Sequence, residues 1–65
     1  MADPLVLQNV RKQLSHVRKV SSTSPGMTQE CVRAIRNGVR NGFFSLKDIG
    51  TSDAEISRLE QQAGM

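Results

Sequence analysis

Tryptophan and tyrosine are absent from this chain, and Phe43 and Phe44 are its only aromatic residues. That excludes the array of stacking rings on which proteins commonly hold single-stranded nucleic acid. Cysteine occurs once, at Cys31, so an internal disulfide and every multi-cysteine zinc pattern are excluded. His16 is the only histidine, and no cysteine or carboxylate stands at ligand spacing from it. A resident metal or cofactor is therefore not expected. No apolar run approaches the roughly 18 residues of a membrane-spanning helix. The start, Met1 to Pro4, lacks the basic-then-apolar layout of a secretory signal, so a cytoplasmic, reducing setting is expected. No segment alternates apolar and polar residues as a half-buried strand does. There is also no glycine-rich phosphate loop: Gly38 and Gly42 fall within and at the end of a helical pattern.

What remains is 65 residues with 37% apolar content, mostly Val, Leu and Ile. This is near the lower limit for a domain that folds without staples, and it predicts one helical domain over residues 1–65. A core of that size supplies only a few kcal/mol, roughly, so self-association or a partner would help it.

Asp3 as cap and Pro4 at the first helical position open a helix expected over about 4–20. Val6, Leu7, Val10, Leu14 and Val17 share one arc of it, a stripe that suits either an internal core or a homodimer seam. Arg11 and Arg18 flank the stripe, while Lys12 and Lys19 lie far from it. Ser21–Gly26 reads as a link. A second helix is expected over about 25–41, capped by Ser24 or one turn later by Thr28, and closed by Asn41 and Gly42. Gly38 in its middle costs about 1 kcal/mol relative to alanine, which points to close approach by another helix. A short helix over 45–49 follows, broken by Gly50. The last helix, about 52–63, opens on Ser52 with Glu55 three residues on, the pattern of a capping box. The expected fold is an all-α bundle of three to four helices, the first two antiparallel. At least one of Phe43 and Phe44 should be the largest core side chain.

Charge is unevenly distributed. Residues 1–42 carry seven Lys and Arg against Asp3 and Glu30, whereas residues 43–65 carry two against four acids. Within the basic part, Arg33, Arg36, Asn37 and Arg40 share an arc of roughly 100° on the second helix, joined by Gln29. Cys31, Ala34, Ile35, Gly38 and Val39 take the inner arc. Arginine holds all three cationic positions, and its planar fork suits phosphate or carboxylate better than lysine does. Only Glu30, three residues before Arg33, lies within a helical turn of these arginines. An outward, unneutralised row facing away from the acidic last helix is the expectation.

The stretch Asp48–Leu59 resembles the turn and second helix of bacterial helix-turn-helix repressors. Ile49, Gly50 and Thr51 stand at the turn, and Ile56 and Leu59 stand where the second helix packs back. The resemblance, over residues 42–62, implies a helical corner and DNA reading from the last helix, through Arg58 and Gln61 or Gln62. It departs from the family at Leu46, where a small residue is usual, and at Ser45, where an apolar one is. Asp53 and Glu55 also stand near the helix start, where phosphates repel carboxylates.

The carboxylates Asp48, Asp53, Glu55 and Glu60 are explained as caps and solvated faces, and His16 and Cys31 fall on diverging helix faces. No enzyme activity is expected. Binding is the functional class. The first reading is a small nucleic-acid-binding regulator of phage or plasmid type, with Arg33, Arg36 and Arg40 on phosphates, Asn37 reaching a base, and Lys12 and Lys19 adding charge. The second is an adaptor or inhibitor that docks an acidic surface of a larger bacterial protein with the same row, helped by apolar flanks such as Val20 or Met27.

Overall fold

The computed structural model describes residues 3–65 as three α-helices and one 3-10 turn, with no strand among them. Helix α1 spans Pro4–Val20, α2 spans Pro25–Arg40 and α3 spans Asp53–Gln62, with the 3-10 turn at Lys47–Ile49 before α3. The Asp3 carboxylate accepts from the Leu5 amide at 2.9 Å, and Pro4 fills the first turn, where no amide proton is needed. At α2 the earlier of the two starts is the one used, with Ser24 at the cap and Pro25 behind it. Thr28 lies inside the helix instead, fully buried. Its hydroxyl donates to the Ser24 carbonyl at 3.1 Å, so its burial leaves no polar group unpaired.

The end of α2 sets up the core. Gly42 adopts a left-handed φ of 76°, its amide reaches Val39 at 3.1 Å, and the Phe43 amide reaches Gly38 at 2.9 Å. This is the glycine-closed helix end, and it turns the chain back over the last turns of α2. Phe44 then lies across Gly38: a β-carbon at that position would stand 2.3 Å from the ring's Cζ. The close approach expected at Gly38 is therefore made by an aromatic ring six residues on, not by another helix. Phe44 is the bulkiest side chain of the core, and Phe43 is 61% exposed.

Around that ring, Leu14 and Val17 of α1, Cys31, Val32 and Ile35 of α2, Ile49 of the turn, and Ile56 and Leu59 of α3 form one apolar cluster. Leu7, Val10 and Leu46 pack against it half-buried. The later part of the α1 stripe is thus internal, while Leu5 and Val6 near its start are exposed.

The sequence expectations need correction at three places. The short helix over 45–49 is a single 3-10 turn of three residues, so the helix-turn-helix likeness has no first helix. That turn is capped reciprocally: the Asp48 amide donates to Ser45 Oγ at 3.2 Å, and the Ser45 amide donates to the Asp48 carboxylate at 3.0 Å. At α3 only half of the capping box forms. Ser52 Oγ accepts from the Glu55 amide at 3.4 Å, but the Glu55 carboxylate is engaged by Arg18 and Thr51. Finally, Ala34 and Val39 of the inner arc are exposed, and Thr28 and Val32 are buried in their stead.

Candidate binding face on the first two helices

The buried arc of α2 is turned from the expected one toward Val32, and this decides what becomes of the arginine row. Arg36 lies four residues, about 40° of arc, from Val32. That places it at the edge of the packed face rather than at the outer pole. Its Nε donates to Glu60 Oε1 of α3 at 3.1 Å, and its Nη2 pairs with the same oxygen. Gln29, counted with the row in the sequence, donates to the Ala63 carbonyl at 2.8 Å. The expectation of a row facing away from the acidic helix therefore fails at Arg36, which α3 neutralises.

The arginines flanking the α1 stripe are also engaged. Arg11 donates twice to the Asp48 carbonyl, at 3.1 and 2.5 Å. Arg18 donates to the Gly50 carbonyl at 3.0 Å and grips both oxygens of Glu55, at 3.1 and 2.6 Å. The Arg18 guanidinium, aided by the Thr51 hydroxyl, holds the Glu55 carboxyl below its usual range. The same pairing raises the pKa of Arg18. These three long-range ties, from residues far from the acids in sequence, could not be found by helical spacing. Their one sequence signal is an arginine at the margin of an apolar stripe.

Besides Arg36 and Asn37, the remaining four of the six predicted site residues are the cations Lys12, Lys19, Arg33 and Arg40. All four are exposed, and none has an ion pair among the described residues. Asn37 is exposed beside them. Between α1 and α2, where no residue of α3 reaches, an open groove of about 620 Å³ runs along the surface. Val17 and Cys31 line it together with Met27 and Ala34 from α2 and Lys12, Gln13 and His16 from α1. Glu30 is the one acid at its border, and it forms no ion pair with Arg33. On α2 the surface passes from Ala34 and Glu30 through Asn37 to Arg33 within about 100° of arc. Lys19 continues the line of Lys12 two turns further along α1. The sequence pattern had no means of locating this groove, because it depends on how two helices meet.

No protein-family model, curated protein or solved structure matches this chain.

His16 and Cys31, expected on diverging faces, border the same groove. The thiol is 5% exposed, and burial pushes its pKa up, so it stays protonated and apolar in character. It contributes to the groove as floor. Among the described residues no cluster of His, Cys, Asp or Glu could hold a metal ion, and no helix is long and apolar enough to cross a membrane. The arrangement offers a mostly apolar channel with cations beside it.

Proposed function

We propose that this chain is a small, non-enzymatic binding protein that docks an acidic surface of a larger protein on the face formed by α1 and α2. The observation that carries the reading is the apolar groove bordered by Lys12, with Lys19 further along the same line of α1 and Arg33 farther round α2. An apolar floor gains free energy when a partner side chain removes it from water. Unpaired cations beside it favour a partner of opposite charge and speed its approach. The proposal takes α1 and α2 as an antiparallel pair and the protein as an intracellular regulator of the adaptor or inhibitor type.

Nucleic-acid binding is the second reading. It is favoured by the four cations of this face that form no ion pair among the described residues, and by the location of Asp48, Asp53, Glu55 and Glu60 after residue 42. Two observations count against it. Arg36 is already held by Glu60, and the corner that resembles a repressor lacks its first helix and carries acids on the second. A duplex backbone would also cover the groove without filling it.

The test is capture from a cell lysate by tagged wild type, Ala34→Glu, Lys12→Glu and, as a control on α3, Arg58→Glu, each with and without nuclease. The reading expects one protein retained by wild type and Arg58→Glu, lost with the two groove variants, and indifferent to nuclease. Capture unaffected by Ala34→Glu, or co-elution of nucleic acid that vanishes with nuclease, would sink it.

A further inference from the structure

We infer that the α1–α2 groove receives one amphipathic α-helix of the partner, with apolar anchors on its inner face and carboxylates along the edge that meets α1. This rests on the protein-docking reading and specifies the occupant.

A groove between two helices presents no row of open amide and carbonyl groups, because those groups are used within each helix. An extended segment laid there would leave its own peptide groups without partners over an apolar floor, at a cost of order 1–3 kcal/mol for each one desolvated. A helix brings its backbone hydrogen bonds with it and exposes only side chains. Length agrees. From Met27 to Ala34 the α2 border covers about 10 Å at 1.5 Å per residue. That is the span between anchors at i and i+7, with i+3 or i+4 between them.

Charge sets the orientation about the helix axis. The α1 border carries Lys12, with His16 beside it and Lys19 further along the same line. The α2 border carries Glu30 next to the groove, with Arg33 lying farther round the helix. A helix with acids on both flanks would place carboxylates against Glu30. One acidic only on the α1 side meets opposite charge on that side and leaves Glu30 able to accept from a polar or basic residue. The occupant is therefore asymmetric: apolar stripe down, acidic edge toward α1. Met27 and Ala34 are exposed and make no contribution to the core cluster, so a partner can be blocked there without disturbing the fold.

The probe is a displayed library of 18-residue peptides with Leu, Ile, Met or Phe at positions i, i+4, i+7 and i+11 and Glu along one flank. Selected binders are synthesised with two relatives: one carrying proline at the centre, and one with Lys replacing the Glu flank. The inference expects a gain of helical circular dichroism on binding. It also expects at least tenfold weaker binding for both relatives and for the Ala34→Glu protein, whose melting is unchanged. Lys12→Glu should weaken binding, and Glu30→Gln should leave it unchanged or tighten it. Equal binding of the proline peptide overturns the helical occupant while leaving protein docking in place. Equal binding of the Lys-flanked peptide overturns the charge assignment. If the library yields no binder that Ala34→Glu weakens, the helical occupant fails, and a lysate partner still lost with Ala34→Glu would show that the broader reading survives it.

Discussion

On the side of the first two helices that meets α3, Arg11, Arg18 and Arg36 all end on oxygens of the C-terminal third: the Asp48 and Gly50 carbonyls, Glu55 and Glu60. On the side away from α3, Lys12, Lys19, Arg33 and Arg40 make no ion pair among the described residues. The same helices thus carry two populations of cations, sorted by angle from the buried arc. Those at its margin tie the fold together, and those near the outer pole face water. In α1 the residue types follow the split, with arginine at the two ties and lysine at the two outer positions. The fork of arginine suits the paired acceptors, while a solvated charge needs only an ammonium group. Arg33 and Arg40 depart from that pattern, being arginines at outer positions.

The two sides should differ most in what a core substitution and a groove substitution cost. Ile56 of α3 is fully buried, so Ile56→Ala should cost about 2–5 kcal/mol, most of the stability of a domain this small. Ala34→Glu, on the groove side, should stay within about 0.5 kcal/mol. Urea unfolding of the two variants against wild type measures both. If they lose comparable stability, the groove is a packed face and the distinction between the sides is wrong. Gly38→Ala comes next. Alanine favours the helix by about 1 kcal/mol, but the new methyl would meet the buried Phe44 ring, and such overpacking costs about 1–3 kcal/mol. A net loss of about 1 kcal/mol is expected from those two figures. A rise in melting temperature would show that the ring does not rest on that glycine.

How much of this was legible in the sequence depends on the distance over which each feature is determined. Asp3 with Pro4, Ser52 with its position before an apolar spacing, and Gly42 after Asn41 are local signals, and the helix bounds they imply agree with the structure to within about a residue or two. The arginines of α2 do not mark its outer pole, so its phase is not legible from them. The core instead turned toward Val32, with Thr28 able to join it by bonding to Ser24. The pairing of Arg36 with Glu60 crosses 24 residues and depends on how α3 sits. The groove and the Gly38–Phe44 contact are likewise products of packing. Periodicity within one helix carries no record of them.

Acid pH tests the tied side on a smaller scale. Arg18 and Thr51 hold the Glu55 carboxyl below its usual range, and the Ser45 amide and hydroxyl do the same for Asp48. Near pH 4 the unfolded chain therefore binds more protons than the folded one, so stability rises with pH there. It is fully present above the ordinary carboxyl range, about pH 4–5, and is lost as pH falls through the lowered values. The Arg18–Glu55 pair is partly exposed and contributes about 0.5–1 kcal/mol at most. Melting temperature followed from pH 7 to pH 2 should decline below about pH 4, and Glu55→Gln should flatten part of that decline. An identical pH profile for Glu55→Gln would show that the Arg18–Glu55 pair adds nothing to the tied side, leaving Arg18 held by the Gly50 carbonyl alone. Lys12→Ala should leave the profile unchanged.

The smallest effect addresses Arg36, which stands between the two populations. Glu60 holds it at the edge of α3, yet its helical position also belongs to the arc of Arg33 and Arg40. Glu60→Gln removes one negative charge and releases the guanidinium to turn toward that arc. Asp53→Asn removes one negative charge from the same helix without releasing any arginine, since Asp53 forms no ion pair among the described residues. Both variants gain affinity for a polyanion such as heparin through net charge alone. The excess for Glu60→Gln over Asp53→Asn isolates Arg36, and an exposed ion pair of about 0.5 kcal/mol sets it near twofold in the dissociation constant. An excess of that size would make α3 a tether that holds one arginine back from the outer row. Equal gains for the two variants would assign Arg36 wholly to the tied side, leaving Arg33 and Arg40 as the only arginines on α2 open to a partner.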